Sequence, residues 1–157
     1  MKQIFKATLV GLAASLAMSS AAALDIGTDE RMKLVLRPDE RHLVLFEMRS
    51  FLHTLQVISD AALREDMQAV ADAARSMGSG AANLIPPLTV AKLPPTFQML
   101  AGTVHTTFDA MALDAESLGD PVHTQRQMTQ MLQTCNACHG IYQVAVEEPF
   151  PRLKKKR

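Results

Sequence analysis

Apolar residues recur at alternating steps of three and four along most of the chain after residue 38, which is the spacing of one face of an α-helix. The first segment begins at Pro38, and Asp39 and Glu40 are favourable at the positive end of the helix dipole. A second segment covers residues 64–78, where Gly78 predicts its end. These patterns predict two amphipathic helices joined by a short link. The apolar face of the first consists of Val44, Met48, Phe51, Leu55, Ile58 and Ala62.

A proline-rich connection separates this pair from two further helical segments. Residues 78–95 contain four of the eight prolines in the chain and predict a long crossing connection. The third helix is predicted to begin near Pro95 and to end at Gly119. The fourth is predicted to begin with Asp120 as its N-cap and Pro121 in its first turn. The apolar face of the fourth consists of Met128, Met131, Cys135, Cys138, Tyr142 and Ala145.

No run of alternating apolar and polar residues predicts a strand, and the sequence has no internal repeat. The aromatic content of 4% and the ten methionines also favour helices over sheet. Because short links join the first helix to the second and the third to the fourth, neighbouring helices are expected to run in opposite directions. The predicted fold is all-α, an antiparallel four-helix bundle with a long connection between helices 2 and 3.

The two ends of the chain differ in composition from the helical part. Residues 1–23 combine two lysines, an apolar run and a small-residue cleavage pattern, which together predict a cleaved secretory signal peptide. Residues 24–151 are then the helical domain, and residues 152–157 form a basic C-terminal tail. No other segment approaches the length of an apolar membrane helix. Export of this kind is typical of a bacterial periplasmic protein.

Charge and composition also narrow the classes of function. The chain has 16 basic and 16 acidic residues, so nothing favours nucleic acid as a partner. It has no Ser/His/Asp constellation, no paired carboxylates placed for a pocket and no glycine-rich phosphate loop. We therefore expect a protein that is not an enzyme.

The chain has only two cysteines, Cys135 and Cys138, and His139 directly follows the second. This C-x-x-C-H pattern is the attachment signal for c-type haem. Cysteines three residues apart on a helix face the same side, so both sulfurs can form thioether bonds to one porphyrin. The imidazole of His139 can then bind the iron as the proximal ligand. The pattern predicts one covalent haem c inside the bundle.

Three other interpretations of the cysteines are open but weaker. A thioredoxin-like dithiol follows a strand in a βαβ unit, which this sequence does not predict. A structural zinc site needs a further ligand beyond two cysteines and one histidine, and the chain has no second cysteine pair. A disulfide within one helical turn closes almost no loop and so contributes little stability.

The segment CNACHGIYQ, at the end of the last predicted helix, resembles the class II cytochromes c. These are exported four-helix bundles that include cytochrome c-prime and its six-coordinate relatives. The residues that match the family motif are Cys135, Cys138, His139 and the aromatic Tyr142. Family members often have a basic residue next, whereas this chain has Gln143. The resemblance implies a haem cytochrome that can form a homodimer through helices 1 and 2.

The resemblance implies two functions, and the distal side of the iron distinguishes them. In the family the distal residue comes from the first helix. A methionine there is typical of electron carriers, and a non-coordinating apolar residue is typical of five-coordinate proteins that bind NO or CO. Met48 is the expected distal ligand, although a core residue that only packs against haem is the open alternative. The rival, His53, lies about 140° around the helix from Met48 and is expected to point away.

The sequence therefore predicts a periplasmic electron carrier with one haem c, His/Met axial ligands and redox proteins as partners. The alternative is a five-coordinate binder of NO or CO with an open distal position. Glu47 lies off the apolar face of the first helix, and His42, His105 and His123 are expected at the surface. The methionines expected in the core are Met67, Met77, Met111, Met128 and Met131.

Overall fold

The computed structural model describes residues 27–146, and most of them are helical. The predicted signal peptide (residues 1–23) and the basic tail (residues 152–157) lie outside the described residues. The all-α class is confirmed, whereas the antiparallel bundle arrangement stays a prediction. No helix in the described part is long and apolar enough to cross a membrane. The helices are α1 (Pro38–Leu63), α2 (Met67–Ser76), α3 (Pro87–Val90), α4 (Pro95–Leu118) and α5 (Pro121–Ile141), with a 3₁₀ helix at Ser79–Leu84.

The ends of the helices follow local capping residues. The side chain of Asp66 accepts a hydrogen bond from the backbone N–H of Ala69 at 3.0 Å and caps α2. Asp120 caps α5 in the same way by accepting from the N–H of Val122 at 2.8 Å. Helix α4 ends at Gly119, whose φ of 62° lies in the left-handed region that glycine adopts without steric cost. The predicted limits of α4 and the predicted start of α5 are confirmed.

Two short strands are present, although the sequence pattern predicted none. Strand β1 (Met32–Leu36) precedes α1, and strand β2 (Tyr142–Val146) directly follows α5. They form a parallel two-stranded sheet in which Met32 is opposite Tyr142. The expectation that the chain has no strand was wrong, and the last helix ends at Ile141 rather than continuing through Ala145.

Strand β1 is amphipathic, but its pattern is too short to stand out in one sequence. Leu34 and Leu36 are buried, whereas Lys33 and Val35 are exposed. Five residues make a strand of ordinary length, yet its partner lies about 110 residues later in the chain. Periodicity within one segment therefore could not reveal the pairing.

Two apolar clusters form the interior. In the first, α1 packs against α2, α2 against α4, α4 against α5, and α5 back against α1, around the fully buried Ile58 and Phe108. The second cluster joins the sheet to α1 and to the start of α4, and its members include Leu36, Val44, Phe97 and Tyr142. The core methionines are confirmed, with Met67 partly buried and Met77, Met111, Met128 and Met131 buried.

Candidate functional site

The C-x-x-C-H motif lies in the last turns of α5, where the two apolar clusters meet. Cys135 packs against the first cluster and Cys138 against the second. Both are half-buried free cysteines, and His139 is exposed. Among residues 27–146, no group of three or more His, Cys, Asp or Glu could hold a metal ion, so these three side chains do not form a metal site by themselves. The motif thus directs two sulfurs inward and leaves an imidazole at the surface.

A cavity of about 350 Å³ opens beside the motif and is lined by Met48, Cys138 and His139. The same three residues also line a small apolar cavity of about 30 Å³, where Cys135 joins them. Such apolar cavities with a few convergent polar groups are typical cofactor sites. The residues present fit an apolar ring that is bonded to two thiols and has a histidine and a methionine beside it. The remaining walls of the larger cavity are Arg31, Leu34, Val44, Leu45, Phe97, Tyr142, Gln143 and Val144.

Met48 is the residue of the first helix that lies at this cavity and bears a donor atom for iron. It is half-buried and packs against the first cluster, between the buried Val44 and Phe51. His53 is exposed and lines neither of the two cavities beside the motif. Of the two candidates for the distal ligand, the fold brings only Met48 to the motif.

The surroundings of the two thiols keep them protonated. Burial raises the pKa of the Cys135 thiol. Burial, and then the proximity of Cys135, raises the pKa of Cys138. Because the thiolate is the reactive form of cysteine, both sulfurs are weaker nucleophiles here than an exposed cysteine.

Arg31 is a residue of the cavity wall that the sequence did not identify. Its guanidinium donates hydrogen bonds to the backbone oxygens of His139 at 3.1 Å and Tyr142 at 3.4 Å. Two further bonds, of 2.9 and 2.7 Å, join it to Asp29 and lower the pKa of that carboxyl to about 2. The cation lies at the C-terminal end of α5, where the helix dipole favours positive charge.

The position next to the aromatic residue of the motif has a structural role of its own. The side chain of Gln143 donates a hydrogen bond of 3.0 Å to the backbone oxygen of Arg31. The positive charge beside the motif therefore comes from the segment before β1 rather than from position 143. No sequence signal links Arg31 to His139, because 108 positions separate them and the sheet brings them together.

Glu47 and His105 are both buried, so the expectation that His105 lies at the surface was wrong. Their exposed fractions are 7% and 4%. His105 Nε2 lies 3.4 Å from Glu47 Oε1, and its Nδ1 lies 2.9 Å from the oxygen of Met77 and 3.2 Å from that of Gly78. The Glu47 carboxylate raises the pKa of His105, and the backbone oxygens of Met77 and Gly78 act in the same direction. Together they outweigh the burial of the ring, which lowers this pKa. Each of the two residues is tolerated in the interior because the other is there.

Two neighbouring cavities thus share a thiol, an imidazole and a thioether, from Cys138, His139 and Met48. The guanidinium of Arg31 joins them in the larger cavity and the thiol of Cys135 in the smaller one. They come from α1, from α5 and from the segment before β1. This geometry is the basis for assigning a function, because no protein-family model, no curated protein and no solved structure matches the chain.

Proposed function

We propose that this protein is a periplasmic c-type cytochrome that transfers single electrons through one haem bound covalently to Cys135 and Cys138. In this proposal His139 is the proximal iron ligand and Met48 the distal one. The proposal rests on one observation, that Cys138, His139 and Met48 line both cavities beside the motif and that Cys135 joins them in the smaller one. The chain would then belong with the four-helix class II cytochromes c, which its motif resembles.

The roles of the residues follow from their positions. A bound haem supplies an iron that gains or loses one electron. The sulfurs of Cys135 and Cys138 would fix the ring to α5, and His139 and Met48 would fill the two axial positions. A thioether ligand favours the reduced state and raises the reduction potential. With both axial positions filled, no coordination position is left for a substrate, which supports an electron carrier rather than an enzyme.

A second function applies if Met48 packs against the haem without binding the iron. Buried Val44 and Phe51 flank Met48 on α1, so the surroundings of a vacant axial position would be apolar. Such a position suits small neutral gases, and the protein would then bind NO or CO. The same cavity supports both functions, and the coordination of the iron distinguishes them.

Absorption spectra of the chain, produced in a host that attaches haem c, test the proposal. We expect haem that stays bound after denaturation, a low-spin ferric spectrum with a methionine–iron charge-transfer band in the near red, and no change in the reduced spectrum on adding CO. A high-spin ferric spectrum with CO binding would favour the second function. Colourless protein with two reactive thiols would overturn both.

Substitutions of single methionines test the distal ligand. Met48→Leu should abolish the charge-transfer band and allow CO to bind. Met99→Leu is the matched control, since Met99 is 62% exposed on α4 and lines none of the cavities beside the motif. If Met48→Leu keeps the band, another residue binds the iron.

The cysteines can be tested separately from the iron ligands. The double variant Cys135→Ala and Cys138→Ala should lose covalent haem and melt at a lower temperature, because the cavity then lacks the group that fills it. A melting curve equal to that of the haem-loaded protein would contradict a fold arranged around haem.

Redox proteins as partners and a homodimer through helices 1 and 2 are further parts of the proposal. On α1, Leu52 and Leu63 are 69% and 84% exposed and lie on the same side of the helix. Exposed apolar side chains on one helix support a protein contact there. Sedimentation should therefore give a dimer that Leu52→Lys dissociates, and a monomer for both proteins would remove this part of the proposal.

A further inference from the structure

A separate cavity of about 220 Å³ lies between α1, α4 and the connection over residues 78–95. Val44 and Phe97 line this cavity and also the one beside the motif, so a single layer of side chains separates the two. The proposed electron carrier makes no use of this space. Its other apolar walls are Ala82, Ile85, Val90, Leu93 and Ala101.

Glu47 presents a hydrogen-bond acceptor to this apolar space. The residue lines the cavity and is 7% exposed. An ionised carboxylate has about four acceptor positions. Within residues 27–146 its partner is His105 Nε2 at 3.4 Å, which is long for an N–H···O bond. A carboxylate that lines the cavity and has one long contact retains acceptor positions for a further donor that enters the cavity.

His105 balances the charge of this carboxylate. Its Nδ1 faces the backbone oxygens of Met77 and Gly78, which only accept hydrogen bonds. Its Nε2 faces Glu47, and an ionised carboxylate also only accepts. Both ring nitrogens are therefore donors, and the pair as a whole is neutral. A neutral donor suits this cavity better than an ammonium group, which would add an unbalanced buried charge.

We propose that this cavity binds a small neutral phenol, whose ring lies between the aliphatic walls and whose hydroxyl donates to Glu47. An apolar cavity of about 150 Å³ is large enough for benzene, so about 220 Å³ accommodates a benzene ring with a hydroxyl and a methyl group. Phe97 provides an aromatic wall for the ring. The proposal concerns a site distinct from the haem site and does not depend on it.

Titration of the whole protein with 4-methylphenol and with toluene tests the hydroxyl contact. The two probes share a methylated ring and differ in one O–H, so only 4-methylphenol can donate to Glu47. We expect saturable binding with 4-methylphenol at least about tenfold tighter than toluene, measured by calorimetry and by shifts of the amide signals of Gly102 and His105. Equal affinities would overturn the role of Glu47. Saturation by neither probe, as for a cavity that holds only water, would overturn the site.

Substitution at Gly102 tests the location. Gly102 lines the cavity, and a Cβ built there meets nothing within 4 Å, so Gly102→Leu introduces a bulky side chain at the cavity from a position that accepts a Cβ. This variant should weaken 4-methylphenol binding by more than tenfold. Thr106→Leu is the matched control, because Thr106 is exposed one turn later on α4 and lies outside the cavity lining. Unchanged binding by Gly102→Leu would show that the probe binds elsewhere.

Substitution of the acceptor completes the test. Glu47→Gln keeps the length of the side chain and replaces the carboxylate by a weaker acceptor. It should reduce the preference for 4-methylphenol over toluene while toluene binding persists. An unchanged preference in a folded Glu47→Gln variant would contradict the proposal. Since amide shifts report the binding, the result is independent of whether the chain attaches haem.

Discussion

Removal of the buried cation at His105 should destabilise the protein strongly. His105→Leu deletes the ion pair with Glu47 and the hydrogen bonds to the oxygens of Met77 and Gly78. The leucine retains apolar contact with Phe51, against which the imidazole packs at 5.1 Å between ring centroids. The variant therefore loses mainly electrostatic stabilisation, because the carboxylate of Glu47, which is 7% exposed, remains without its cation.

The size of the loss follows from the burial of both partners. Breaking a buried pair by removing one member costs about 3–5 kcal/mol, because the remaining charge is uncompensated. The total free energy of unfolding of a natural domain is about 5–15 kcal/mol. We therefore expect His105→Leu to lose about a fifth or more of the stability of the wild-type protein. The slope of the unfolding free energy against urea concentration should stay unchanged.

The raised pKa of His105 determines how its contribution to stability changes with pH. The pKa of His105 is raised above the ordinary histidine value of about 6.5. The stabilisation from its cation is thus fully present below about pH 6.5 and is lost as pH rises through the raised pKa. The carboxylates that act on the ring are Glu47, in contact with it, and Asp109, which interacts with it through charge. The difference in unfolding free energy between wild type and His105→Leu should shrink above that pKa.

Urea unfolding at a series of pH values, followed by circular dichroism, measures both effects. His53→Gln is the control, since His53 is exposed on α1, and it should change the free energy of unfolding by less than about 0.5 kcal/mol. A loss below about 1 kcal/mol for His105→Leu, or a difference that grows with pH, would refute the assignment of a buried imidazolium.

Three other substitutions or treatments give independent predictions. Gly78→Ala should lower the free energy of unfolding in urea by about 1 kcal/mol, because the added Cβ would displace the carboxylate of Asp109 from its hydrogen bonds with the backbone N–H and the hydroxyl of Ser79. Arg31→Gln should leave the global stability almost unchanged, since its ion pair is exposed, but should speed amide hydrogen exchange over residues 142–146. The two motif cysteines of haem-free protein, whose pKa values are raised by burial, should react with iodoacetamide more slowly in the folded than in the unfolded chain, as counted by mass spectrometry.

Each of these has a result that would contradict it. Gly102→Ala, where a Cβ meets nothing, is the control for Gly78→Ala and should stabilise α4 by about 0.5–1 kcal/mol. Equal stabilities of the two alanine variants would contradict the collision. Unchanged hydrogen exchange in Arg31→Gln would mean that the guanidinium does not fasten the end of α5. Equal alkylation rates in the folded and unfolded states would mean that the thiols are not desolvated.

The parts of the fold that the sequence predicted are those set by neighbouring residues. Asp120 caps α5 through a bond to Val122, and Gly119 ends α4 by its own backbone conformation, so both signals lie within a few positions. The sheet depends instead on the meeting of two five-residue segments from opposite ends of the described chain. The burial of Glu47 and His105 could not be predicted either, because each is a polar residue whose buried partner lies on another helix.

The candidate site also contains residues that the sequence could select and residues that it could not. The C-x-x-C-H pattern is contiguous, and helical spacing was enough to select Met48 over His53 as the residue that faces it. Arg31 could not be selected, because its contact with the motif requires the sheet. The role of Gln143 was hidden for the same reason, since its hydrogen bond goes to the backbone of Arg31.

The parallel pairing of β1 with β2 also bears on the order in which the molecule assembles. Joining segments about 110 residues apart costs about 4 kcal/mol of chain entropy, more than any contact between consecutive helices. Such distant contacts form late in folding. Until the two ends meet, the final turn of α5 can fray, and Cys138 and His139 stay reachable from outside. For the proposed cytochrome, this topology would leave the motif accessible to haem during the interval before the two ends of the chain pair.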